Sequence, residues 1–165
     1  MKIVYESCTG HTKQYAQMLS GKLNIPCYTI REAKANLKEH EDIIFIGWVC
    51  AAKIQGLKKA EKKYNVICFS AVGLYPCDDE YVKSLKEANR IDKAFFYMRG
   101  GLDYSKLKGF KRKVLQLVSK SMAKDSKPEN RELSEIFKNG GTFVSESNLE
   151  PMLNYINERN LCIQS

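Results

Sequence analysis

The residues from Ile43 to Gly47 are apolar without interruption, and the uncharged run continues to Ala52 before Lys53. A strand with one face in water alternates apolar and polar positions, so this run requires cover on both sides. Val66-Ile67-Cys68-Phe69-Ser70 repeats the requirement. Two such strands restrict the chain to a sheet buried between layers, the usual state of parallel strands joined by helical crossovers. The same run is too short to cross a bilayer, which takes roughly 18–20 apolar residues.

The other segments supply the alternation. Lys2 to Glu6 reads as a first strand, and Tyr15, Met18, Leu19 and Leu23 follow it at helical spacing. Pro26 to Ile30 reads as a second strand and Ile54 to Tyr64 as a lysine-rich helix. Asp78 to Arg90 reads as a helix whose early acids suit its dipole. Ala94 to Met98 is the fifth strand, stopped at Gly100-Gly101, and His40 is placed at an exposed helix end. Ser147-x-x-Glu150 predicts a capping box for the closing helix, with Pro151 in its first turn. The expected fold class is α/β, a doubly wound five-stranded parallel sheet with helices on both faces. With 165 residues the chain fits one domain, residues 1–165. Its start lacks a basic-then-apolar leader, so a cytoplasmic location is expected. The six cysteines include no Cys-x-x-Cys pair, which removes the usual zinc and dithiol patterns and leaves free thiols as the expectation.

Ligands of such sheets bind beyond the carboxyl ends of the strands, where the winding reverses. Ser7-Cys8-Thr9-Gly10-His11-Thr12 lies at such an end and leads into a helix. Unpaired amides and the dipole at a helix start favour a phosphate dianion. Ser7, Thr9 and Thr12 add hydroxyl donors, and Gly10 lets the backbone close around the oxygens. No lysine or arginine lies within the loop, Lys13 being the first cation after it, so neutral donors are expected to hold the phosphate without a metal. His11 is a candidate for one further hydrogen bond, or for a charge when protonated. The GxxxxGK[ST] pattern of nucleotide hydrolases is absent, as is any legible Ser-His-Asp or His-Cys arrangement.

The string Ser7-x-Thr9-Gly10-x-Thr12 after a first strand resembles the phosphate loop of flavodoxins, [ST]-x-T-G-x-T. That resemblance implies flavin mononucleotide (FMN) as cofactor, its ring held by the loops after strands three and four. Here those loops are Trp48-Val49-Cys50-Ala51-Ala52 and Ala71 to Cys77, with Val72, Gly73, Leu74 and Tyr75 as the expected contacts. Trp48 and Tyr75 offer an aromatic in each loop for stacking, and backbone amides are available to the ring's pyrimidine edge. Cys8, Cys50 and Cys77 fall in the converging loops, which would put a thiol near the flavin.

Residues 102–141 depart from the plain alternating pattern and are read as a helical insertion after strand five. Between Leu102 and Arg131 stand nine cations against three acids, so six of the eight excess positive charges belong to this stretch. Leu107, Phe110, Val114, Leu117 and Ser121/Met122 fall on one side at helical spacing; Lys108, Lys111, Arg112, Gln116, Ser119 and Lys120 fall mainly on the other. The run from Phe95 to Lys108 with this helix is similar to the flavodoxin-domain subfamily that includes bacterial quinone-dependent protoporphyrinogen oxidases, although the loop after strand three differs. Three readings of the basic helix, residues 106–124, stay open: a solvated surface, a peripheral contact with anionic membrane, or a docking face for an acidic protein or an anionic substrate. Nucleic acid is not expected, because aromatics do not interleave with the cations. The functional expectation is an FMN-binding redox protein passing electrons between a reductase and an acceptor, with a redox partner protein or quinone as partner. The alternatives are a quinone-linked oxidase of the protoporphyrinogen oxidase type and an FMN-free binding module.

Overall fold

The computed structural model describes residues 1–107, 109, 113, 117–119 and 128–159. Five strands run parallel: β1 (Lys2–Tyr5), β2 (Cys27–Thr29), β3 (Asp42–Cys50), β5 (Asn65–Gly73) and β6 (Ala94–Arg99), in the order β2-β1-β3-β5-β6. A sixth strand, β4 (Lys53–Ile54), pairs antiparallel with β3, so the sheet has six strands rather than the expected five. The addition arises because β3 runs past Gly47 to Cys50 and turns back at once.

The unbroken apolar runs behave as their composition requires. Along β3, Ile43 and Phe45 face a core with Val4, Tyr64, Phe69, Leu85 and Tyr97, while Ile44 and Ile46 face a second core with Tyr15, Leu19, Met98 and Met152. All four β3 side chains are fully buried. α1 (His11–Leu23) and α6 (Glu150–Glu158) cover one face; α2 (Ile30–Asn36), α3 (Leu57–Lys63) and α4 (Asp79–Ala88) cover the other. α2 was not read from the sequence. It is only seven residues long, yet Thr29 and Glu32 close a capping box at its start.

Two local expectations are corrected. The closing helix does not start on a Ser147/Glu150 box: Ser145 caps a 3-10 turn, Glu146–Leu149, and α6 continues from it. Within that turn Asn148 reaches inward instead, donating to the Tyr15 hydroxyl at 2.6 Å and to Phe143 O at 2.9 Å. His40 stands in a turn at φ 63°, beyond the end of α2 at Asn36. The β3–β4 connection is a two-residue turn in which Ala51 and Ala52 both hold positive φ, 47° and 59°. Hairpins favour this conformation because it matches strand twist, but they normally place Asn or Gly there. The tip is braced by Asn89, which donates to Ala52 O at 2.9 Å and accepts from Ile54 N at 3.0 Å.

After β6 the chain forms β7 (Gly101–Leu102), which pairs antiparallel with β8 (Gly141–Thr142). Between them lie a 3-10 turn, Tyr104–Lys106, and α5 (Pro128–Asn139). Leu102, Leu107, Leu133, Ile136 and Phe137 bury one another with Leu74 and Phe143, a small core separate from the two flanking the sheet. Most of the basic helix read over 106–124 lies outside the described residues. Leu107 is buried as expected, but at two further described positions the faces are reversed: Leu117 is 68% exposed and Ser119 is 1% exposed. The reason is a reciprocal bond, in which Ser119 Oγ donates to Ser134 O at 2.9 Å and Ser134 Oγ to Ser119 O at 3.0 Å. A serine at a close helix contact thus displaces the apolar neighbour. Among the described residues no helix is long and apolar enough to cross a membrane.

Candidate functional site

Winding reverses between β1 and β3, and the loop leaving β1 is Glu6 to Gly10. Gly10 is the N-cap of α1 at φ 104°, a conformation that side chains rarely adopt. Its amide donates to Ser7 Oγ at 3.2 Å, and its carbonyl accepts from Gln14 N at 3.0 Å. The amides of the next three residues have no partner inside the helix, as at any helix start. Thr12 is 2% exposed, and no described residue bonds its hydroxyl. Thr9 Oγ1 lies 3.2 Å from His11 Nδ1.

Beside this loop opens a cavity of about 780 Å³, inside the range of roughly 300–1,000 Å³ usual for small-molecule sites. Cys8, Thr9, His11 and Thr12 form its polar end. Trp48, Val49, Cys50, Ala51 and Ala52 line one side, and Val72, Gly73, Leu74 and Tyr75 another. The three segments singled out from the sequence therefore meet in one space. Ser7 and Gly10 do not line it: Ser7 ties the loop, and Gly10 turns it. Cys8 and Cys50 are exposed at the cavity, whereas Cys77 is exposed but not on its wall.

Five wall residues were not foreseen. Tyr81, from α4, stacks on Tyr75 with ring centroids 5.1 Å apart and meets Tyr97 edge-on at 5.3 Å. Tyr97 donates to Tyr75 O at 2.9 Å, so the loop carrying Tyr75 is fixed from beneath. Burial and the neighbouring Tyr81 push the Tyr97 phenol upward, keeping it a neutral donor. The periodicity of Asp78 to Arg90 carried the signal for Tyr81, but not the partner. Gly101, Leu102, Leu107 and Phe137 come from the segment after β6 and close the wall. Only the third dimension brings them there.

A cation reaches the loop from outside it. Lys106, from the 3-10 turn, brings its ammonium to the loop, donating to Thr9 O at 3.3 Å and pairing with Asp103 Oδ2 at 2.9 Å. The loop itself is neutral, but its surroundings are not. Ser105 and Lys106 together hold the Asp103 carboxyl down to about 2. His11 is nearly buried beneath Gly101, and burial depresses its pKa below the ordinary 6.5; Asp103 opposes this and Lys106 adds to it. His11 is thus a neutral ring near pH 7 rather than a source of positive charge.

A pH dependence follows with a definite sign. Between the depressed folded value and about 6.5 the unfolded chain binds a proton at His11 that the folded chain refuses. Stability then falls as pH drops below about 6.5. Urea unfolding midpoints are expected to fall from pH 7 to pH 5 in the native protein, and by less in His11→Asn. An equal decline in both would show that other groups carry the effect.

The cavity suits a ligand with a phosphate at one end and a planar apolar body at the other. Gly10 cannot carry a side chain without strain, the hydroxyl of Thr12 is available, and Trp48, Leu74 and Tyr75 offer apolar surface. Among the described residues no group of three or more His, Cys, Asp or Glu side chains is placed to hold a metal ion. Residues 2–129 match the family model described as Flavodoxin domain. Searches of curated proteins and of solved structures returned no match.

Proposed function

This chain belongs to the flavodoxin-domain family, and from that premise we propose that it holds FMN and serves as a cytoplasmic redox protein between a reductase and an acceptor. The observation that carries the reading is the junction of a phosphate-ready helix start with an apolar cavity at the β1/β3 switch point of the β2-β1-β3-β5-β6 parallel sheet, the place where flavodoxins bind FMN. The amides of His11 to Lys13 and the hydroxyls of Thr9 and Thr12 would hold the phosphate. Trp48 to Ala52 and Val72 to Tyr75 would hold the ring. When bound, FMN supplies one- and two-electron transfer. The protein's part is to bind, orient and exclude water: Tyr97 fixes the Tyr75 loop, and Asn89 fixes the Ala51-Ala52 tip.

A second reading is favoured by the extra wall. Leu102, Leu107 and Phe137 extend the apolar lining beyond the two ring loops, which supports a small apolar acceptor such as a quinone reaching the cavity. Titration of the purified protein with FMN tests the first reading. Saturable quenching of flavin fluorescence and a measurable heat are expected; neither would appear if the protein were a binding module without flavin. Oxidation of the reduced, FMN-loaded protein by a soluble quinone analogue would favour the second reading over protein-to-protein transfer.

A further inference from the structure

We infer that Lys106 is a specificity residue of the phosphate end, whose ammonium, shared with the Asp103 carboxylate, donates to a phosphate and so makes the site prefer a phosphate monoester over the same ligand lacking it. The inference rests on the flavin reading above and deepens it. The loop Ser7–Thr12 contains no cation, yet the Lys106 ammonium, 97 positions on in sequence, donates to Thr9 O at 3.3 Å. The same atom stands 3.3 Å from where a Cβ on Gly10 would be, so it occupies the space that the glycine leaves open.

Its position is held rather than incidental. Asp103 Oδ2 pairs with it at 2.9 Å, and Asp103 is itself fixed by Ser105, whose amide and hydroxyl donate to Oδ1 at 3.1 and 2.5 Å. Lys106 N bonds Asp103 O at 3.1 Å, and Leu107, the next residue, is anchored in the small core. The chain therefore delivers the charge on a short tethered turn. The Lys106 side chain remains 57% exposed, so the contact with an anion is solvent-screened and depends on salt. Lys13, the cation next to the loop in sequence, is exposed and makes no such contact with it.

The test compares FMN with riboflavin, by fluorescence quenching, on the full chain and its Lys106→Gln and Lys106→Arg variants. At about 0.01 M salt Lys106→Gln is expected to weaken FMN about tenfold and to leave riboflavin unchanged. At about 1 M salt the difference between native protein and variant should shrink to near nothing. Lys106→Arg should restore most of the preference. Equal loss of both ligands in Lys106→Gln would mean that the side chain only shapes the wall, and unchanged FMN affinity would mean that it serves Asp103 alone; either overturns the proposal. Failure of the native protein to bind either ligand is a separate outcome, which removes the flavin reading and this proposal with it.

Discussion

Replacing Thr12 with valine is expected to weaken FMN binding by about 10- to 100-fold while the fold stays in place. Thr12 is almost completely buried, and its hydroxyl reaches the cavity without a partner among the described residues. Valine has nearly the same shape, so the helix start keeps its packing and only the donor is lost. A hydrogen bond to a charged group contributes about 1.5–3 kcal/mol, against about 0.5–1.5 kcal/mol for a neutral pair. The upper range applies because a phosphate dianion enclosed by a helix start has few waters to compensate it. Fluorescence titration of the variant measures the change, with Thr12→Ser as the control that should recover most of the affinity. Unaltered affinity in Thr12→Val would show that the phosphate sits elsewhere.

The second large effect concerns Gly101. A Cβ there would lie 2.4 Å from Gly141 O and 2.6 Å from His11 Nε2. Neither neighbour yields easily: one is backbone of the paired strand β8, the other a buried ring at the start of α1. Gly101→Val must therefore lift the β7–β8 ribbon from the phosphate loop. Overpacking of this kind costs typically 1–3 kcal/mol, and the upper end is expected because both contacts are rigid. The same displacement exposes His11, whose pKa should return toward 6.5. Urea unfolding measures the first effect and NMR titration of the imidazole the second. Gly21→Ala is the matched control: it meets nothing within 4 Å, lies inside α1, and should stabilise by up to about 1 kcal/mol. A Gly101→Val protein as stable as the native one would mean that the ribbon adapts freely.

How much of this was legible beforehand depended on whether the signal was local. β3 and β5 announced themselves because an apolar run needs no partner to be recognised, and Ser7–Thr12 because its residue types and its place between strand and helix agree. α2 had a local signal too, Thr29 and Glu32, but its seven residues are too few for periodicity to support them. The left-handed Ala51 and Ala52 carried no signal, since alanine is the residue least expected there. Leu107 and Phe137 could not be assigned to the cavity from sequence, nor Lys106 to the loop beside it, because the ribbon that brings them pairs only two residues on each side. Ser119 was put on the wrong side because hydrophobic pattern weighs volume and polarity, and a close contact between helices selects for smallness.

The pairing of Leu102 with Gly141 has a consequence for how this protein could change. The two ends of the intervening segment are held together by this two-stranded ribbon, and loop-closure cost grows only slowly with length, so that length places little entropic burden on closing the loop. Shortening, lengthening or exchanging that module would alter one wall of the cavity and the charge beside the phosphate end. The strands of the main sheet and the Trp48–Ala52 loop, which take no part in the small core of that module, would stay as they are. A common chassis could in this way be refitted for a new ligand at that wall by trading one cassette.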